Sequence, residues 1–217
     1  CRFLILNNKS NHLEILEEQR QLILKEKSRY EQILNTIENT IKSHKGEGNM
    51  SAVKVLDGVY SVGAMNPSMR VFDIVMHTEY GTTYNSYIVK GTEKTALVEG
   101  CHKTFHKQFL ANIEEICPLE EIDYIVLNHN EPDHSGAVGE VLRHNPNAEV
   151  YCTQAGSLYI KGITNLPDMK IHVIKDGEEL SLGGKTFRFL SAPFLHWPDS
   201  MFTYLPEDKV LFSCDFL

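Results

Sequence analysis

Asn128-His129-Asn130-Glu131-Pro132-Asp133-His134-Ser135-Gly136 places four side chains able to bind a metal, His129, Glu131, Asp133 and His134, within six residues. Before it runs Ile122-Asp123-Tyr124-Ile125-Val126-Leu127, a short apolar run of the kind that forms a buried strand. After it, Gly136-Ala137-Val138-Gly139-Glu140-Val141-Leu142 predicts a helix, so the four groups fall on a strand-to-helix loop. Burying them without a cation would be costly. Imidazole nitrogen and carboxylate oxygen suit Fe(II), Mn(II) or Zn(II), and the lack of thiolates near the loop argues against a structural zinc site.

Outward from the loop the period is that of strands. Val53-Lys54-Val55-Leu56, a turn at Asp57-Gly58 and Val59-Tyr60-Ser61-Val62 predict a hairpin. Strands are expected at 71–76, 84–89 and 95–99, then an amphipathic helix over 103–116. Beyond the loop the pattern gives a strand at 149–152, a helix at 155–163 and a strand at 170–174. Segments 180–182 and 187–190 are expected to pair, and the last strands fall at 201–205 and 209–213. Strands, then strands alternating with helices, then strands again describe an α/β layered sheet sandwich with helices outside.

The 217 residues carry a formal net charge of -8, with 42% hydrophobic and 23% charged residues, enough for one core and no basic patch for a nucleic acid. The longest apolar runs, such as Phe3-Leu4-Ile5-Leu6, are far short of the ~20 residues that span a membrane. Five scattered cysteines without a Cys-x-x-Cys pair fit a reducing, cytoplasmic setting. The start at Cys1 and the end at Leu217 within an apolar segment read as cuts in something longer. Residues 1–10 are then the tail of an upstream segment, 11–45 a helix, 46–51 a linker with Gly46 and Gly48, and 52–217 the metal-binding domain. In the helix Leu16, Ile23, Tyr30 and Ile37 recur every seven residues, with Leu34 and Ile41 on the adjoining seam beside charged Arg20 and Lys27. An amphipathic helix on a neighbouring surface and a short coiled coil both fit that pattern.

Alternate side chains of the loop can face different ways, so one ion could take His129 and Glu131 and another Asp133 and His134. His196 in Phe194-Leu195-His196-Trp197-Pro198-Asp199 and Asp215 in Phe212-Ser213-Cys214-Asp215 are further candidates at strand ends, and a lone carboxylate there is suited to bridge two cations. The pattern His-x-Glu-x-Asp-His followed by Ser-Gly resembles the diiron loop of flavodiiron proteins, within the metallo-β-lactamase superfamily. His196 lies 62 positions after His134 and Asp215 19 positions after His196, an order similar to that of the family's ligands. Gly81-Thr82-Thr83-Tyr84-Asn85-Ser86-Tyr87 and His196-Trp197-Pro198-Asp199-Ser200-Met201 also resemble family wording.

The resemblance covers about residues 52–217 and implies a metallo-β-lactamase-like αββα sandwich, incomplete at its C-terminal end. It implies two iron ions, with His129, Glu131 and His196 on one, Asp133 and His134 on the other, and Asp215 bridging. One more histidine ligand, and a flavodoxin-like domain carrying FMN, would lie downstream of Leu217. The activity implied is reduction of dioxygen to water, of nitric oxide to nitrous oxide, or both. Electrons would come from a donor such as rubredoxin or an NADH-dependent reductase, within a head-to-tail homodimer. Zinc hydrolases of the superfamily usually carry His where Glu131 stands; a carboxylate there stabilises the more oxidised metal and disfavours the hydrolase reading.

Some family members carry a further histidine near the gas pocket; Asp73 aligns with it, and His77 is a nearby substitute. Trp197, the only tryptophan, is a candidate pocket wall, with an ordinary core position as the alternative. His102 and His106 have helical spacing but no third ligand in view, and Cys214 reads as a small buried residue. The charged N-terminal helix suggests a second reading from another class, a diiron sensor of oxygen or nitric oxide that signals through that helix.

Overall fold

The computed structural model describes residues 16–27, 30, 31, 34, 51–72 and 74–216, and the chain divides into two units, 1–48 and 49–217. In the first unit, residues 16–27 form helix α1, with Leu16, Leu22 and Ile23 exposed. The expected tail (1–10), most of the linker, and the heptad positions Ile37 and Ile41 lie outside the described residues.

The second unit opens with β1 (Val53–Leu56) and β2 (Val59–Ser61), joined by the expected turn with Gly58 at φ +72°. The segment expected as one strand at 71–76 is instead a hairpin of β4 (Val71–Phe72) and β5 (Met76–His77), following β3 (Ala64–Asn66). Exposed Ile74 sits at its tip with φ +68°, and Asp73 lies outside the described residues. The strand expected at 84–89 is likewise divided: β6 (Thr82–Tyr84) pairs with β3, and β7 (Tyr87–Lys90) joins the main sheet. A short apolar run cannot by its period reveal a change of pairing partner.

Next come β8 (Thr95–Val98), a 3-10 turn at Lys103–Phe105 and helix α2 (His106–Glu114), then β9 (Tyr124–Val126). The loop after β9 contains one helical turn, α3 (Pro132–Ser135), before α4 (Val138–His144). They are followed by β10 (Glu149–Cys152), α5 (Gln154–Thr164) and β11 (Ile171–Val173). Helix α5 starts where the Thr153 hydroxyl accepts from the Gly156 N–H at 3.1 Å, and ends on Asn165 in the left-handed region. The last strands are β12 (Glu179–Ser181), β13 (Thr186–Ser191), β14 (Met201–Leu205) and β15 (Val210–Phe212).

The main sheet runs β1-β2-β7-β8-β9-β10-β11, antiparallel as far as β8 and parallel from there to β11. Its central strands are buried on both faces. Ile88, Leu97, Ile125 and Val150 face the helices with Phe109, Ile113, Val141 and Ile160, while Val89, Ala96, Val98, Val126 and Tyr151 face the second sheet. Successive residues therefore serve different cores, and the strands read as unbroken apolar runs. The second sheet, β12-β13-β14-β15, is antiparallel and contributes Phe187, Phe189, Met201, Leu205 and Phe212. The described residues thus supply helix, sheet and sheet layers of the metallo-β-lactamase-like sandwich, with the buried apolar side chains of α2, α4 and α5 (Phe109, Ile113, Val138, Val141, Leu142 and Ile160) in the helix-facing core.

Among the described residues, backbone hydrogen bonds tie the sheets at two places. At one edge the β7–β8 turn docks on the β12–β13 turn, with the Thr92 N–H donating to Gly183 O at 2.8 Å and the Glu93 N–H to Leu182 O at 3.1 Å. At the other, the Met201 N–H donates to Asn128 O at 2.9 Å and the Thr203 hydroxyl to the Asn128 side-chain oxygen at 2.6 Å. A Cβ on Gly91 would stand 1.9 Å from the Leu182 carbonyl oxygen. Gly91→Ala is expected to destabilise the domain by about 1–3 kcal/mol, read as a lower urea midpoint at unchanged slope.

Candidate metal centre

The second tie places the β9–α4 loop against the β13–β14 loop. Glu131 is the residue before α3, Pro132 takes its first position, where a missing N–H costs nothing, and Asp133 and His134 follow within the turn. The Ser135 hydroxyl fixes the turn from inside, donating toward Asn130 O at 2.9 Å and Glu131 O at 3.0 Å. The His134 carbonyl accepts from the Gly100 N–H at 2.7 Å, a closeness that a Cβ on Gly100 would prevent by standing 2.7 Å from the same oxygen.

The six side chains singled out in the sequence converge in two groups that share Asp215: His129, Glu131, His196 and Asp215, and Asp133, His134 and Asp215, the donor atoms of each lying within 4.8 Å of one another. His129 Nε2 is 3.1 Å from Glu131 Oε2, and His196 Nε2 is 3.7 Å from the same oxygen and 3.6 Å from Asp215 Oδ2. His134 Nε2 is 3.0 Å from Asp215 Oδ1 and 3.7 Å from Asp133 Oδ2. His129 is fully buried, whereas the His196 and Asp215 side chains are each 34% exposed, so the centre opens on that side. It opens into a cavity of about 470 Å³, lined among others by Phe72, Met76 and His77 of the β4–β5 hairpin and by Tyr84.

Two carboxylates that the sequence did not single out stand behind the loop histidines. Asp199, fully buried, meets His129 Nδ1 at 3.1 Å through Oδ1, while Oδ2 accepts from the Asn130 backbone N–H at 2.8 Å and its side-chain N–H at 3.0 Å. Glu99, at φ +60° after β8, accepts from the Asn128 N–H at 2.7 Å through Oε1 and places Oε2 3.5 Å from His134 Nδ1. Each histidine so held points its Nε2 into the centre, an orientation typical of metal-ligating imidazoles. Glu99 could have been noticed as the one charge closing a wholly buried strand; Asp199, in Pro198-Asp199-Ser200, carries no local signal of its role.

The electrostatics follow from this crowding. Burial would lift Asp199, yet its bonds from His129 and Asn130 hold it below the usual carboxylate range, and the His134 contact lowers Asp215. Burial raises Asp133, reinforced by the charges of Glu131 and Asp215. Burial alone would lower His134, but hydrogen bonds with Asp215, Cys214 and Glu99 outweigh it and raise it. Asp133 Oδ1 is buried without a hydrogen-bond partner among the described residues. An unpaired buried anion is costly, and a divalent cation coordinated by the hard oxygen and imidazole donors around it is the partner the site lacks. The residues fit two such ions.

Other candidates separate from the centre. Trp197 is 40% exposed and does not line the cavity; its ring meets that of His129 edge-on at 5.2 Å, so it is neither core nor cavity wall. The ring nitrogens of His102 and His106 turn to local backbone, His102 accepting from the Thr104 N–H and His106 facing Lys103 O. Cys214 is partly exposed, not buried, with Sγ 3.8 Å from His134 Nδ1.

Comparison with known proteins places this geometry. The profile described as ODP family beta lactamase matches residues 82–217. Among curated proteins, the chain is 47% identical over 169 residues to the flavo-diiron protein FprA2 of Clostridium acetobutylicum, covering 77% of this chain and 42% of that protein. It is 39% identical over 164 residues to the nitric oxide reductase of Moorella thermoacetica, covering 75% and 41%. Among solved structures, the flavodiiron protein of Giardia intestinalis superposes with a TM-score of 0.71 at 34% identity, covering 75% of this chain and 39% of that one. Rubredoxin oxygen:oxidoreductase of Desulfovibrio gigas gives 0.71 at 34%, covering 74% and 40%. The chain thus spans about two fifths of the length of these relatives.

Adding Mn(II), or Fe(II) without oxygen, at a hundredfold excess over its dissociation constant is expected to stabilise the protein by about 2.7 kcal/mol per ion, read as a rise in Tm that a chelator reverses. Asp199→Asn should weaken that metal binding about 10- to 100-fold in a competition titration, while circular dichroism of the metal-free chain stays unchanged.

Proposed function

The chain belongs to the ODP family of β-lactamase-like proteins, sharing its metallo-β-lactamase-like core with flavodiiron proteins, and we propose that it is the diiron module of an oxygen or nitric oxide reductase. The observation that carries the proposal is the sharing of Asp215 between two donor groups, one of which includes Glu131 between His129 and His196. In this reading His129, Glu131 and His196 hold one iron, Asp133 and His134 the other, and Asp215 both. Two irons held by these residues would supply the redox chemistry for reducing dioxygen to water or nitric oxide to nitrous oxide, with FMN in a flavodoxin-like part of a longer polypeptide as the proposed source of electrons.

The chain's own residues prepare the place. Glu131 adds a negative donor where a neutral imidazole would leave the metal a fixed Lewis acid, and so favours the oxidised state of a redox metal. Asp199 and Glu99 hold the loop histidines in register, with Nε2 inward. Phe72 and Met76 give the cavity an apolar wall suited to a small uncharged gas, and His77 puts an imidazole on the same hairpin. Asn66 donates its side-chain N–H to the Tyr84 hydroxyl at 3.2 Å, leaving the phenolic proton free to turn to the cavity Tyr84 lines.

Rubredoxin or an NADH-dependent reductase is the donor we propose, since names among the relatives and solved structures join rubredoxin to oxygen or nitric oxide reduction. A head-to-tail homodimer would bring one subunit's flavin to the other's irons. No described helix is long and apolar enough to cross a membrane, in keeping with a proposed cytoplasmic site of action. One observation favours a second reading, a gas sensor: α1 exposes Leu16, Leu22 and Ile23, a surface through which a signalling helix could act.

Anaerobic reconstitution of the full-length protein is expected to give two irons per chain with a diferrous Mössbauer signature, and consumption of dioxygen or nitric oxide when a reductant is supplied. Zinc alone in the centre would sink the redox proposal, and stable gas binding without turnover would favour the sensor. Glu131→His is expected to shift metal preference toward zinc and abolish gas consumption.

A further inference from the structure

His134 has a second face. Its Nδ1 lies 3.5 Å from Glu99 Oε2 and 3.8 Å from Cys214 Sγ, and the three donor atoms fall within 4.8 Å of one another. We propose that Glu99, His134 and Cys214 form a further site, for one thiophilic divalent cation of the zinc or cadmium kind, on the opposite side of the His134 ring from the main centre.

Donors around tetrahedral zinc stand at about 2.0–2.3 Å from the ion, hence roughly 3.3–3.7 Å from one another, close to the two separations found here. Glu99 is 3% exposed, and its Oε2 is buried without a hydrogen-bond partner among the described residues, although Oε1 is satisfied by Asn128. That oxygen aims at His134 Nδ1 across a long 3.5 Å ion-pair contact and makes no hydrogen bond of good geometry among the described residues, and a buried carboxylate oxygen held so loosely is expensive. Cys214 adopts φ +52°, a left-handed conformation that few residues other than glycine take, with its thiol beside the ring. The three residues line a cavity of about 310 Å³ with Asn85, Tyr87 and Ser213, adjoining the main centre at His134 and Asp215, which leaves room for water in the fourth position.

The donor set differs in kind from the main centre, where no sulfur is present. Imidazole with thiolate selects zinc-like ions, whereas the carboxylate-rich set across the ring suits iron or manganese. Binding the cation as a thiolate displaces the Cys214 thiol proton. A neutral imidazole has one lone pair. When Nδ1 takes the cation, Nε2 keeps the proton and donates to Asp215, so filling this site withdraws His134 from the main centre. That competition rests on the proposed diiron function; the existence of the site does not.

The test is a titration of the metal-free chain with Cd²⁺, followed by thiolate-to-cadmium absorption in the near ultraviolet. The band is expected to saturate at one equivalent in the natural protein and to vanish in Cys214→Ser, and Glu99→Gln, which keeps the thiol, should weaken binding at least about tenfold. X-ray absorption of the zinc-loaded natural protein provides a check that needs no variant, with one sulfur expected at about 2.3 Å. A band unchanged in Cys214→Ser, or a zinc shell of nitrogen and oxygen alone, would overturn the proposal. Anaerobic iron counting on Cys214→Ser keeps the two proposals apart: iron uptake without the cadmium band supports both, and a cadmium band in the natural protein without iron uptake overturns only the diiron reading.

Discussion

Mutual repulsion among Glu131, Asp133 and Asp215 is the constraint on which the arrangement depends. Two like charges about 4 Å apart in partly screened protein surroundings cost on the order of 4 kcal/mol. The sequence adds Asp199 and Glu99 just behind, so five carboxylates gather around His129, His134 and His196. Protons answer part of the problem in the metal-free chain, where His129 and His134 are both raised, but they leave Asp133 Oδ1 unpartnered. A fold that assembles such a set must hold it against its own tendency to spread.

The means of holding it are backbone ones. Asn128, directly before the ligand loop, receives both a main-chain and a side-chain hydrogen bond from β14, while its own N–H is taken by Glu99 after β8. One residue thus binds two strands of different sheets at the mouth of the centre. Gly100 lets the α3 turn approach close enough for its N–H to hold the His134 carbonyl, and Ser135 ties the turn back to Asn130 and Glu131. The β13–β14 loop then needs only Asp199 to lock onto Asn130, and His196 arrives three residues earlier. The ligands are placed by bonds that remain whether or not a cation is present.

The strands and the dense ligand loop were legible because local signals agree there: apolar runs of strand length, turn residues at their ends, and four donors in six residues. The β4–β5 hairpin was not, because a run such as 71–76 carries the same apolar pattern whether it extends or folds back around Ile74. The division of 84–89 was hidden for a related reason, since Tyr84 and Tyr87 serve different sheets that only tertiary pairing distinguishes. Glu99 and Asp199 escaped because their roles lie in the direction of a side chain across 35 and 70 positions of sequence, to His134 and His129, and no local pattern encodes that.

The two loop histidines, alike in sequence, are unlike in their support. His129 is fully buried, faces a fully buried Asp199 whose other oxygen is saturated by Asn130, and is packed edge-on by Trp197. Its direction is fixed from every side. His134 is held by a longer contact to a Glu99 oxygen that has no other partner, with a thiol on its Nδ1 side. Rotation is therefore cheaper at His134, because its Nδ1 contacts, at 3.5 and 3.8 Å, are longer and weaker than the 3.1 Å bond that holds His129 Nδ1. Of the two donor groups joined by Asp215, the one built on Asp133 and His134 is accordingly the more adaptable, and the one built on His129 is the anchor.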